Sequence, residues 1–189
     1  KAGNIPAPGQ PSATPQPGAV PSAPGAPPLP GALKSLAPNP HENRAGVLAQ
    51  GKRIPIETPR LHGSISLKGG LIDDLTMADY RETLDPESRE IVLLTPKGVH
   101  DAYYAQFGWV AKDTNLKVPG TDTVWTARGK KLSPDAPLLL IWDNGQGFQF
   151  RRTIAVDGNY MFTITQEVVN KSTAPHTLFS FGLVSRRST

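Results

Sequence analysis

After residue 53 the chain alternates apolar and polar positions with a period of two. Residues 61–67 set Leu61, Gly63, Ile65 and Leu67 on one face against His62, Ser64 and Ser66 on the other, the period of a half-buried strand. Arg53–Glu57 alternates Ile54 and Ile56 with polar neighbours. Pro55 and Pro59 place that strand at a sheet edge, because proline cannot donate to a ladder. Gly69-Gly70 reads as a turn, with Leu71–Leu75 starting the return strand. Ile91–Leu94 predicts a short apolar strand closed by Pro96-Lys97-Gly98, and Tyr103–Val110 and Thr123–Ala127 two more. Leu138–Trp142 is apolar on both faces, which predicts a strand between covered faces.

The C-terminal part reads as a meander. Asp143-Asn144-Gly145-Gln146-Gly147 separates Leu138–Trp142 from Phe148–Val156, and Asp157-Gly158-Asn159 separates that strand from Tyr160–Val169. Asn-Gly and Asp-Gly supply the positive φ angles of tight hairpins. Asn170–Pro175 is a third turn, and Leu178–Val184 a further strand with Phe179, Phe181 and Leu183 on one face. Regularly spaced short strands with few helices predict an all-β sandwich, its C-terminal strands in an antiparallel meander.

Composition divides the chain. Residues 1–40 hold 12 of the 20 prolines and two charged residues, Lys1 and Lys34, and no aromatic residue precedes Tyr80. Such a stretch buries too little to offset ordering entropy. Residues 1–52 are therefore expected to be a disordered Pro/Ala/Gly-rich linker, extended in the polyproline manner. A Pro-rich ligand for an aromatic groove is the other reading of that stretch, and the irregular prolines and few basic anchors argue against it. Asn39-Pro40-His41-Glu42 predicts the start of a short helix through Gln50, ended by Gly51. Residues 53–189 suffice for one domain with one core.

Within 53–189 there are 16 Lys and Arg against 15 Asp and Glu, with no basic stripe interleaved with aromatics. No nucleic-acid partner is expected. Arg151-Arg152 and Arg186-Arg187 read as solvated positions at strand edges or ends. The absence of cysteine excludes a disulfide framework, a thiol nucleophile and a cysteine zinc site. The longest apolar run, Pro137–Trp142, is far shorter than the roughly 20 residues of a membrane span, and no stretch of the given sequence is expected to be a signal peptide. Lys1 stands in the middle of linker composition, so the chain is expected to be a segment of something longer.

Catalytic chemistry finds little material. His41, His62, His100 and His176 fall at no metal-ligand spacing. Asp73-Asp74 with Asp79 does not match a calcium loop and reads as a solvated turn. No serine sits in a G-x-S-x-G context. No catalytic, cofactor or metal residue is expected, and no cofactor. Tyr103, Tyr104, Trp109 and Trp125, with Phe107, have two readings: the lining of a sugar or peptide groove, or core packing.

The string TPRLHGSISLKGGLIDDLTMADYRETL, then LLTPKG and AYYAQFGW, resembles the periplasmic domain of the bacterial YidC membrane protein insertases of the Gram-negative type. FQFRRTIAVDGNYMFTITQEVVNKS and LFSFGLVSR continue the likeness in the same order, so that it covers Arg53 to Arg187. The resemblance implies a twisted supersandwich similar to galactose mutarotases. It implies a non-enzymatic place in a protein that inserts and folds inner-membrane proteins, alone or with the Sec translocon. The implied partners are the parent transmembrane bundle, the Sec translocon with its accessory subunits, and nascent inner-membrane proteins. The implied location is the periplasmic side of the inner membrane. The variable linker of that family corresponds to the Pro-rich stretch. The arginine-bearing groove of the bundle matches no position here, and the surface that meets the Sec accessory complex is expected beyond Thr189. The last strands of the sandwich are also expected beyond Thr189, which predicts an exposed sheet edge near Leu178–Val184. A competing reading is a sugar-binding or mutarotase-like envelope module. It would need a histidine and a carboxylate as acid and base, and His62, His100 or His176 with Glu57 or Glu167 are the available material. A third reading is an adhesion or envelope protein on a Pro-rich stalk.

Overall fold

A computed structural model describes residues 40–187. Most of the expected linker, residues 1–39, lies outside the described residues. The elements in chain order are α1 (Pro40–Leu48), β1 (Arg53–Glu57), β2 (Leu61–Ser66), β3 (Leu71–Arg81), β4 (Glu90–Leu94), β5 (Tyr103–Ala111), β6 (Thr126–Arg128), β7 (Leu138–Asp143), β8 (Phe148–Val156), β9 (Phe162–Asn170) and β10 (Leu178–Arg186). Among the described residues no helix is long and apolar enough to cross a membrane.

The strands form two antiparallel sheets. The first runs β1-β2-β3-β5-β10, with β4 also paired to β3, and the second runs β6-β7-β8-β9. The expected all-β antiparallel sandwich is therefore the architecture observed. Strand β8 shows how the sequence builds it. Phe148, Phe150, Arg152, Ile154 and Val156 are buried and Gln149, Arg151, Thr153 and Ala155 only partly so, because alternate side chains point to opposite faces. Facing them from the first sheet are Ile56, Leu61, Ile65, Ile72, Leu75 and Trp109 in one continuous core. The indole of Trp109 meets Phe150 edge-on, with ring centroids 5.1 Å apart. Burying each such side chain contributes roughly 1.5–3 kcal/mol.

Helix α1 lies inside the stretch expected as linker, at the place where Asn39-Pro40 predicted it. It ends at Leu48, with Gln50 N–H donating to the Val47 carbonyl (3.0 Å) and Gly51 following at φ +90°. The edge position of β1 is as Pro55 required. The open side of β1 is closed by Leu132, whose N–H donates to the Pro55 carbonyl and whose carbonyl accepts from Glu57 N–H, both at 2.9 Å. The strand around Trp125 is later than expected, starting at Thr126. Trp125 itself is fixed by its backbone N–H on the Leu67 carbonyl (2.9 Å), as part of an irregular approach to β6.

Two local features depart from the alternation. In the β2–β3 pair the partners run Gly63–Leu75, Ser64–Asp74 and then Ile65–Ile72, which leaves Asp73 without a partner. This is a β-bulge. The second is the turn between β8 and β9. Gly145 and Gly147 carry the positive φ angles of the preceding hairpin, as expected, but here the positive φ belongs to Tyr160 (77°), not to Gly158. Asp157 holds this turn by accepting from the N–H groups of Asn159 (2.7 Å) and Met161 (2.8 Å). The Tyr160 hydroxyl then donates to the Asp79 carboxylate at 2.9 Å.

Candidate functional site

Arg152 occupies a core-facing position of β8 and is 1% exposed. The expectation of a solvated arginine is overturned here, because the period of two in β8 aims Arg152 inward with Phe150 and Ile154. Its guanidinium lies over the Trp125 ring at 4.8 Å and the Trp109 ring at 5.8 Å. Nη1 donates to the Gly70 carbonyl (2.9 Å) and Nη2 to the Phe107 carbonyl. Strands β3 and β5 share one ladder pair, Ile72 with Ala105. Gly70, immediately before β3, and Phe107 of β5 each stand two residues from that pair, so the fork ties the start of β3 to β5 where their ladder has stopped. Burial pushes the Arg152 guanidinium down to about 10, and two indole faces and two carbonyls stabilise the cation there. Gly70 is required beside it. Its φ is +61°, and a Cβ there would lie 2.6 Å from Arg152 Nη1.

The bulge at Asp73 creates the second polar site. Asp73 and Asp74 are both buried, which corrects the reading of a solvated turn: they lie inside β3, where two arginines receive them. Arg53 of β1 reaches Asp73, and Arg44 of α1 reaches Asp74. Ser64 Oγ donates to the second oxygen of Asp74 at 2.5 Å, and Arg53 Nε donates to Ser64 Oγ at 2.7 Å. Burial raises the Asp73 carboxyl above its ordinary 3.8 against the pull of Arg53. Beside this cluster is a cleft of about 440 Å³. Val47, Gln50 and Gly51 line it from the helix side, and Arg53, Leu71, Asp73 and Lys97 from the sheet side.

The third feature is the rim of the first sheet. Strand β10 pairs with β5 alone, in a continuous nine-residue register from Leu178–Ala111 to Arg186–Tyr103. Phe179 (58% exposed), Leu183 (47%) and Val184 (63%) stand open there. An exposed edge at Leu178–Val184 is thus present.

The aromatic residues weighed as groove lining fall in different places. Trp109 and Trp125 come together, with ring centroids 6.4 Å apart, but inside the core at 5% and 2% exposure, clasped by Arg152. Tyr104 belongs to a separate small cluster with Leu71 and Ala102, beneath the Lys97 ammonium at 5.5 Å. Tyr103 is half-buried, with the Arg186 guanidinium 5.8 Å from its ring. Of the histidine–glutamate pairs, the fold sets His62 opposite Glu57 across β1 and β2. Both are exposed, and Lys131 Nζ holds Glu57 at 2.8 Å. His176 lies edge-on to Phe148 with Nδ1 3.7 Å from Asp113. Among the described residues no three His, Asp or Glu side chains gather in a metal-binding group.

Sequence reasoning missed Arg152, Arg44 and the paired aspartates as a site. The available signal was Arg152 in phase with Phe148, Phe150, Ile154 and Val156.

Fold and site together define an antiparallel β-sandwich module with a buried cationic tie, a polar clasp on one face and an open edge strand at its rim. A family model described as the YidC periplasmic domain matches residues 53–189. The chain belongs to that family. It is 52% identical over 144 residues to a membrane protein insertase YidC of Methylobacterium radiotolerans, covering 76% of this chain and 23% of the relative. It is 51% identical over 148 residues to the protein of the same name from Bradyrhizobium diazoefficiens, covering 77% and 24%. For that of Roseobacter denitrificans the identity is 48% over 148 residues, with the same coverage. The chain spans about a quarter of the length of the curated relatives it matches.

Proposed function

We propose that this chain is the linker and the first part of the periplasmic domain of a membrane protein insertase, and that it works there as a non-catalytic scaffold and docking module. The observation that carries this reading is the family match over residues 53–189, joined by relatives at about half identity that are named membrane protein insertases. The parent protein inserts and folds inner-membrane proteins, alone or with the Sec translocon. The module stands on the periplasmic side of the inner membrane as part of a multi-pass protein. Residues 1–52 space it from the bilayer, and residues 53–189 form the sandwich. Its partners are the parent transmembrane bundle, the Sec translocon with its accessory subunits, and nascent inner-membrane proteins. The placement of Trp109 and Trp125 in the core supports a structural role for the aromatic set, since buried indoles offer no platform to a sugar ring.

The test is replacement in the parent gene. Cells depleted of their own insertase are supplied with the parent protein, intact or lacking residues 53–189, and insertion of a Sec-dependent and a Sec-independent inner-membrane protein is followed by protease protection. Insertion at reduced yield without residues 53–189, and photo-crosslinks from this module to Sec subunits in the intact protein, are expected. Full insertion by the shortened protein, with no such crosslinks from the intact one, would remove the docking role. Saturable binding of mono- or disaccharides to the folded chain would count against the scaffold reading.

A further inference from the structure

Helix α1 has nine residues, PHENRAGVL, with a glycine in its second half. A helix of this length is marginal in water without tertiary support, and glycine weakens it further. Its apolar contribution is small: Val47 and Leu48 are only half-buried, and Ala45 and Gly46 are exposed. The strong contact is Arg44. Its Nη2 donates to the Asp74 carboxylate and to Thr76 Oγ1 (3.2 Å). The two charged side chains are 17% and 8% exposed. The receiving group is organised without the helix, because Ser64 of β2 already binds the other Asp74 oxygen and Arg53 of β1 already neutralises Asp73.

We propose that α1 is a detachable clasp. Arg44 entering the Asp74–Thr76 seat fastens the chain upstream of the sandwich to the face of β3, and α1 is helical only while it is seated. The bulge is what makes the seat specific. It gives Asp73 to an arginine of the sheet and leaves Asp74 for an arginine of the helix. Release of Arg44 opens the cleft along the side formed by Val47, Gln50 and Gly51 and leaves the sandwich standing, since none of the described side chains of α1 belongs to the main core. The clasp is thus the point at which a pull or a competitor on the upstream stretch is felt by the domain.

Hydrogen exchange on the whole chain, read by mass spectrometry, tests this with Arg44→Gln, Arg44→Lys and Thr76→Val. In Arg44→Gln the amides of residues 45–50 are expected to exchange roughly tenfold faster or more, the loss of one charge-assisted hydrogen bond. Those of β7–β9 stay within about twofold of wild type. Arg44→Lys and Thr76→Val give intermediate increases confined to the same residues. Unchanged protection of residues 45–50 in Arg44→Gln overturns the proposal. So does an equal loss across both sheets in all three variants, which would make Arg44 part of the fold's core and not a fastening.

Discussion

The ring of Phe181 lies directly over Gly108, its partner across β10 and β5: a Cβ built on Gly108 would stand 2.7 Å from the ring. The next pair repeats the arrangement on the other face, where Phe107 covers Gly182 at 3.2 Å. Each phenylalanine thus fills the space that its partner glycine leaves. Gly108→Ala is expected to lift Phe181 off β5 and lower stability by about 1–3 kcal/mol, as overpacking does. Urea unfolding followed by tryptophan fluorescence measures this. An unchanged midpoint would mean that Phe181 moves freely and does not seal the edge strand.

Arg152→Lys keeps the charge and removes the fork. A single ammonium cannot bridge the Gly70 and Phe107 carbonyls while lying flat on Trp125, so one carbonyl is left unpaired in the core. Stability is expected to fall by about 2 kcal/mol or more. Equal stability of Arg152→Lys and wild type in denaturant titration would show that planarity is irrelevant here.

The Asp73 carboxyl titrates above its ordinary 3.8 because burial outweighs Arg53. The folded state therefore holds this proton more tightly than the unfolded one. The stability Asp73 contributes is fully present below the unfolded value and is lost as pH rises through the raised folded value. Asp73→Asn does not titrate. The difference in unfolding free energy, wild type minus variant, must move in favour of the wild type as pH falls from about 7 to about 4. A flat or opposite slope contradicts the dominance of burial.

Trp125→Ala removes one wall of the arginine cage and a fully buried side chain. A loss of about 3–5 kcal/mol is expected, the cost of truncating a large aromatic in a core, with near-ultraviolet circular dichroism lost before any ligand titration is meaningful. A folded, stable Trp125→Ala protein with one specific binding property missing would point to a groove.

Leu183→Lys places a charge in the middle of the open edge. Folding free energy is expected to stay within about 0.5 kcal/mol of wild type, since the position is surface. Self-association in sedimentation velocity should decrease, because edge lysines oppose strand-to-strand pairing. A large loss of stability would show that Leu183 is packed against something in solution.

Much of the fold was legible because short strands announce themselves by alternation. Arg53–Glu57, Leu138–Trp142 and Phe148–Val156 are strands where the alternation and apolar runs predict them, and Pro55 marks an edge. The turn at Gly145 and Gly147 followed from glycine's access to positive φ, but at Asp157–Tyr160 the tie of the tyrosine hydroxyl to Asp79 holds a strained tyrosine, a contact 81 residues away in sequence. The polar sites failed for the same reason. Arg152 meets carbonyls 82 and 45 residues distant, and Asp74 meets an arginine 30 residues before it. Locally, an Arg-Arg pair and an Asp-Asp pair look like solvated surface. Only the assembled sheets supply the partners that let them be buried.

The extra residue at Asp73 acts as a phase shift in β3. Ile72 and Leu75 both face the core, although they stand three positions apart and an unbroken strand would turn them to opposite sides. The two ends of β3 are therefore written in different frames, joined at Asp73. Deleting Asp73 would close the bulge into an unbroken ladder in which Ile72 and Leu75 still face the core, and would remove the carboxylate that Arg53 holds. The spacing from Ile72 to Leu75 is thus the mark of the paired acidic seat and not a requirement of the core.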